Sequence, residues 1–443
     1  MWTSIRNVFK VPDLRNKILF TIAMLVIYRF GSYLPIPGIN QDAVAQIKDQ
    51  ARAGGVLQYL SLFAGRALTQ FALFALGIMP YITSSIIMQI LTVVIPKLQQ
   101  WQEQGAVGQR KITQWTRYLT IAISVLQSTG LVFAFKNGGG GLSTNNNIDL
   151  VPHYGPFRVF LIVLTMTAGT AILMWMGETI TQRGIGNGMS LIIFASVVSA
   201  LPGTGSQVKA AGGWGGIAFV IAMTIVMLLF VVFIEQGQRR IPVQFAKRVV
   251  GRKQFGGQST YIPLKVNQSG VIPIIFANAV LNIPVLLSQV LPSDKDWGKS
   301  VTSFINEVFK RSTHPLYLTF YGLLIVGFAY FYTAIAFDPV QQADNLRKQG
   351  GFIPGIRPGP QTERYLARTL NRITLPGAIF IAILALLPAI AISLVIGDSS
   401  NGQIGNNFGG TSILIAVGVA LETMKQIDGQ LMMRNYEGFL NAK

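Results

Sequence analysis

Few residues in this chain are suited to chemistry on a bound molecule. Cysteine is absent, which excludes disulfides and thiolate catalysis. The two histidines, His153 and His314, lie far apart, and no H-E-x-x-H pattern surrounds either one. An intramembrane zinc hydrolase is therefore not expected, and each reads as a surface histidine near an outer loop. The glycine run 138–141 lacks the lysine that a phosphate-binding loop requires. Glu178, Glu235 and Arg29 are the ionisable residues nearest to apolar stretches. Charges held at mid-membrane mark coupled ion or proton pathways. Both glutamates, however, fall at the ends of their stretches, and Arg29 is close enough to an end to snorkel. No catalytic group, metal or cofactor is expected.

The elements around these residues are membrane spans. Of 443 residues, 51% are apolar and only 12% charged, against about 25% charged in a soluble domain. A spanning helix needs about 20 mostly apolar residues. Ten stretches approach that: 18–36, 71–95, 118–135, 157–177, 185–202, 216–235, 270–291, 316–337, 375–396 and 411–427. Residues 1–17 read as a cytosolic amphipathic helix, with Trp2, Ile5 and Phe9 on one face, closed by the breaker Pro12-Asp13. Net charge is +19, and most of the 36 Lys and Arg fall on the N-terminus, alternate loops and the tail 428–443. Positive residues are retained on the cytoplasmic face, so both termini are expected there. Loops 236–269 and 338–374 carry the largest share. The opposite connectors, such as 136–150 and 398–410, are rich in Gly, Ser, Thr and Asn.

Ten spans divide into halves of five, 18–215 and 216–427, which must insert in opposite senses, as inverted repeats do. Gly77-Ile78-Met79-Pro80-Tyr81-Ile82 of span two matches Gly270-Val271-Ile272-Pro273-Ile274-Ile275 of span seven. Gly188-Met189-Ser190-Leu191-Ile192-Ile193 of span five resembles Gly410-Thr411-Ser412-Ile413-Leu414-Ile415 of span ten. Pro80 and Pro273 are expected to interrupt their helices, and such irregular spans line functional centres. Gly184 and Gly188 also suit close helix packing. An apolar constriction built here would hold back ions by dewetting. Taken one at a time, each isoleucine reads more simply as a core or lipid contact.

Leu34-Pro35-Ile36-Pro37-Gly38, 76–82 and Gly184-Ile185-Gly186-Asn187-Gly188 resemble motifs of the SecY/Sec61α family of protein-conducting channel subunits. Pro263-Leu264-Lys265-Val266-Asn267, the stretch Phe352-Ile353-Pro354-Gly355-Ile356-Arg357-Pro358-Gly359 and Phe408-Gly409-Gly410-Thr411-Ser412 extend the resemblance across almost the whole chain. It implies an all-α polytopic membrane protein, with ten transmembrane helices in two inverted halves around a central hourglass pore in a bacterial plasma membrane.

Motif by motif, the resemblance places a pore ring at Ile78, Ile82, Met189, Ile193, Ile275 and Ile415; Met189 departs from the more usual isoleucine. It implies a plug at about 56–70, carrying Leu57, Leu60, Leu62, Phe63 and Leu68, where Arg66 stands in place of a small residue. It also implies a lateral gate between spans two and three and spans seven and eight. Thr83, Ser85, Gln89, Gln127 and Asn278 are the polar residues at that seam, and they read equally as ordinary interhelical contacts.

Nothing in the chain binds a nucleotide, so directed movement would need a partner on the positive face. Arg239, Arg240, Arg248, Arg252 and Lys253 of one basic loop and Arg347, Lys348 and Arg357 of the other are the docking candidates. A topogenic role alone would also account for most of them. Pro360 stands where the family often carries a charge. Implied partners are SecE and SecG, the ATPase SecA, the ribosome, preprotein signal sequences and membrane lipid. The competing reading is an inverted-repeat secondary transporter of a small solute.

Overall fold

A computed structural model describes residues 11–40, 44, 67–68, 70–136, 155–245, 248–250, 253–255, 259–290, 300–301, 303–305, 308, 314–396 and 410–440. The helices are α1 (Pro12–Gly31), α2 (Met79–Val94), α3 (Pro96–Glu103), α4 (Ala106–Lys136), α5 (Pro156–Arg183), α6 (Gly188–Gln236), α7 (Ile272–Val290), α8 (Pro315–Ala336), α9 (Pro339–Lys348), α10 (Pro360–Ile396) and α11 (Gly410–Leu440). Five short strands interrupt them: β1 (Gln238–Phe245), β2 (Arg248–Val250), β3 (Lys253–Phe255), β4 (Ser259–Lys265) and β5 (Gly351–Phe352).

Proline marks where many of these helices begin. Its fixed φ suits the first turn, where the missing N–H would have no helical partner. Pro12, Pro80, Pro96, Pro156, Pro315 and Pro339 all occupy that turn. Pro12-Asp13 opens α1; the first ten residues of the helix expected before it lie outside the described residues. One expectation changes. Pro80 and Pro273 each stand second in α2 and α7, so they start those helices and interrupt neither. Span two is consequently helical only from Met79, and the chain from 71 to 78 runs as turns beneath the end of α1. There the Ile36 amide donates to the Phe71 carbonyl at 2.9 Å, and Leu73 donates to Leu34 at 2.7 Å. Asn187 caps α6 by accepting from the Met189 amide at 3.1 Å.

Four stretches among the described residues are long and apolar enough to cross a membrane: Pro156–Arg183, Gly213–Gln236, Pro315–Lys348 and Pro360–Pro388. A fifth results if α2 and α3, bent by 100° at their junction, count as one span. The helix α6 is interrupted at Gly213 (φ 62°, ψ −155°), close to the expected division between halves.

Two apolar cores occupy the helical body. One joins α1, the 67–78 segment, α2, α5 and the start of α6 to Ile275 of α7 and to Ile415 and Val419 of α11. The other packs α7, α8 and α10 with the second part of α6 and the start of α11. A third core lies outside both. The two basic loops fold together: β1 pairs antiparallel with β4 from Gln238↔Lys265 to Gln244↔Ser259, and β5 adds to its other side through Gln244↔Phe352. Ile241, Val243 and Leu264 pack there against Leu346, Ile353, Leu366 and Leu370.

Candidate functional site

Four helix beginnings meet at one place. Ile78 is the residue before α2, and Ile82 lies in its first turn. Met189 and Ile193 occupy the first two turns of α6, Ile275 is the fourth residue of α7, and Ile415 is the sixth of α11. Ile78, Ile193, Ile275 and Ile415 are buried in a single apolar cluster, and Ile82 and Met189 pack against it. Six bulky side chains from the N-terminal ends of four helices, two helices from each half, thus share one contiguous cluster.

The paired motifs have matching backbones at these starts. Gly77 and Gly270 have φ of 59° and 61°, left-handed values that glycine adopts without the Cβ penalty. Each is followed two residues later by a helix with proline second. The other pair, Gly188 and Gly410, opens α6 and α11.

Leu68 of the expected plug is fully buried in this same cluster, beside Phe71 and Ala72. Leu57, Leu60, Leu62, Phe63 and Arg66 lie outside the described residues.

The expected seam residues do not form one group. Ser85 and Gln89 line a cleft of about 220 Å³ with Met88 and Thr92 of α2, Gln102 of α3, Gln109, Thr113 and Thr116 of α4, and Tyr332 of α8. Its walls carry hydroxyl and amide groups and no charged side chain. Thr83 turns back onto its own helix, donating to the Met79 carbonyl at 3.1 Å and to that of Pro80 at 3.0 Å. Gln127 is half-buried on α4. Asn278 lies beside Tyr321 of α8, and Phe276 meets Phe328 and Tyr332 edge-on at 5.6 and 6.5 Å. These contacts fasten α7 to α8. On its other side α7 also meets α2 and α4.

The ionisable residues are engaged in structural contacts. Glu178 accepts a bidentate pair from Arg117, with Nε at 2.8 Å, tying α4 to α5. Glu235 accepts from Asn267 Nδ2 at 3.1 Å, and Asn267 also donates to the Gly270 carbonyl at 3.2 Å. Arg29 stacks on Tyr33 at 4.7 Å. His314 caps α8, accepting from the Leu316 amide at 3.3 Å; His153 lies outside the described residues. Among the described residues no group of three or more His, Asp or Glu is placed to hold a metal.

On the paired loops, Arg239, Arg240, Arg347 and Lys348 are exposed. Arg240 stacks on Tyr261 at 4.8 Å, and Arg347 pairs with Asp344 at 3.5 Å. Arg357 is exposed on a turn between Gly355 and Gly359, whose φ values are 81° and 110°. The Thr362 hydroxyl donates to the Arg357 carbonyl at 3.0 Å and steadies that turn. Arg248 and Lys253 fall on the short β2–β3 hairpin; Arg252 lies outside the described residues. The sequence reading missed Tyr332, Tyr321, the α4 wall of the cleft and the sheet itself. For the sheet a signal existed: Ile241, Val243 and Phe245 recur at every second position, separated by Pro242 and Gln244, the period of a half-buried strand.

The sequence profile of the SecY family matches residues 72–424. The chain belongs to the SecY family. Protein translocase subunit SecY of Streptomyces griseus is 50% identical, over 99% of this chain and all of that one. Its namesake in Mycobacterium tuberculosis is 46% identical, over 97% of this chain and 98% of the other. Among solved structures, one titled as a protein conducting channel aligns with a TM-score of 0.60 at 21% identity, covering 93% of this chain and 91% of that chain. Sec61 in a canine ribosome–channel complex gives 0.57 at 20% identity, with the same coverage. The fold is that of the SecY and Sec61 channels, a largely helical membrane protein.

Proposed function

We propose that this chain is the pore-forming subunit of a protein translocase, passing unfolded preproteins across the plasma membrane and releasing apolar segments sideways into lipid. The observation that carries the reading is the meeting of four helix starts, two from each half, in a cluster that holds Ile78, Ile82, Met189, Ile193, Ile275 and Ile415. Ten spans, in two inverted halves with both termini cytosolic, would place this cluster at mid-depth.

The physical logic is one of sorting. A charge at the bilayer centre costs about 2.5–3.5 kcal/mol, while ten leucine-like residues gain roughly 3–6 kcal/mol on the same scale. Polar segments therefore need a path that lipid does not line, and apolar segments leave it if a side exit exists. Bulky aliphatic side chains fit around any passing residue yet leave little room for water and ions. No bond is made or broken in the chain's own step.

The side exit is the seam where α7 meets α2 and α4, with the cleft at Ser85, Gln89 and Tyr332 at its edge. The Phe276 contacts make α7 and α8 one jaw, and α2 with α4 the other. Hydrogen bonds between spans average about 0.6 kcal/mol, weak enough for an incoming signal helix to replace. Leu68 and the segment before it would plug the pore. SecA or the ribosome supplies the work, docking on the paired basic loops around Arg357, and SecE and SecG complete the channel. The canine Sec61 structure, a ribosome–channel complex of the same fold, supports the ribosome as one such partner.

Reconstitution with SecE, SecA, ATP and a preprotein tests the reading. ATP-dependent protection of the preprotein inside vesicles is expected. Saturable uptake of a small solute without any protected preprotein would replace the translocase by a secondary transporter.

A further inference from the structure

Gly177 lies on α5, outside the six residues of the waist, yet it decides where one of them can put its side chain. A Cβ built at Gly177 would collide with Met189 Sδ, lie 2.8 Å from its Cε and 3.3 Å from its Cγ. These three nearest atoms all belong to Met189. The thioether therefore lies in the space that a side chain at position 177 would fill.

The backbone around this notch is fixed. The Thr181 hydroxyl donates to the Gly177 carbonyl at 2.9 Å and accepts from the Gly188 amide, also at 2.9 Å. Asn187 holds the Met189 amide as the helix cap. A Cβ at Gly188 would run into the Gly177 carbonyl and come within 2.8 Å of Ile180 Cβ. The start of α6 is thus pressed onto α5 and fastened there, and Met189 cannot withdraw by moving its backbone.

We propose that Gly177 is a positioning residue for the waist: it seats the Met189 thioether laterally, so that a side chain one atom longer than isoleucine does not overfill the constriction. This rests on the translocase reading for its consequence, though not for its geometry. The neighbouring α6 positions Ile192 and Ile193 are buried in the cluster, so a thioether expelled from the notch has the waist as its free direction. An unbranched thioether crosses such distances by rotamer changes alone. The same flexibility lets Met189 leave its seat and return as residues of different size pass.

The test is a double-mutant cycle in the reconstituted full chain with its partner subunits. Gly177→Ala fills the notch, and Met189→Val removes the Sδ and Cε atoms that occupy it. Gly177→Ala alone is expected to slow preprotein translocation severalfold, most for a substrate carrying a bulky loop. In the Met189→Val background the same substitution is expected to change the rate by less than about twofold, because independent sites add and coupled ones do not. Equal losses in both backgrounds would assign the effect to general α5–α6 packing and overturn the proposal. Should Gly177→Ala fail to accumulate in the membrane, recovery of its level by Met189→Val supports the seat, and continued failure overturns it. Methyl-¹³C methionine NMR of the same proteins reads the seat directly: the Met189 signal is expected to shift on Gly177→Ala, and an unmoved signal refutes the notch. A shifted signal in a protein that translocates nothing would remove the translocase reading and leave the notch standing.

Discussion

Ile82 is half-buried, while Ile275 and Ile415 are almost wholly enclosed, yet all three face one cluster. Asparagine at any of them would place an amide where only aliphatic groups meet, and the site would take up water to satisfy it. Each of Ile82→Asn, Ile275→Asn and Ile415→Asn is expected to raise ion conductance across planar bilayers and to admit preproteins with weakened signals. Unchanged conductance in all three would count against a shared waist. Arg357 makes the opposite demand: its side chain is exposed, and in the proposed role it would serve a partner outside the chain. Setting like charges against each other across an interface costs several kcal/mol, so Arg357→Glu is expected to lower SecA-driven transport at least about tenfold with membrane insertion unaltered. Full transport by that variant would remove Arg357 from the docking surface.

At the scale of elements, the most legible features were the repeats, and the least legible was the sheet formed by the basic loops. The pairs at Gly77 and Gly270 and at Gly188 and Gly410 could be read from sequence because a helix start writes itself locally, through glycine, proline and the residues that follow. What those starts did could not be read the same way. Proline inside an apolar run looks like a kink until the residues before it are seen to be turns. The sheet was hidden because β1 and β5 pair across more than a hundred residues of intervening chain, and such pairing leaves no local mark. Its core makes it testable: Leu264 is fully enclosed, and Leu264→Ala is expected to cost about 2–5 kcal/mol. Protease should then cut within 238–265 while the helices stay resistant. Equal resistance of both parts would show that the sheet draws no stability from that core.

For the whole molecule, positive charge was the property of the composition from which an orientation could be expected before any helix was placed. It also predicts how docking responds to salt. If the exposed arginines of the paired loops meet ribosomal RNA phosphates, affinity falls steeply as ionic strength rises. Arg239→Ala or Arg347→Ala is then expected to lessen the slope of log affinity against log salt by about one. An unaltered slope in both would assign those charges to topology alone. From the stretch expected to form a plug, Ala67 and Leu68 are both buried in the central cluster.

The joining of β1 to β5 has a mechanical consequence. β1 leaves α6 after a single intervening residue, β4 returns the chain to α7, and β5 lies between α9 and α10. A partner that grips this platform therefore holds a lever whose arms run into three membrane helices at once. On the translocase reading, torque applied at this sheet would turn one half of the protein against the other, and a motor would pry the proposed seam apart without ever reaching into it.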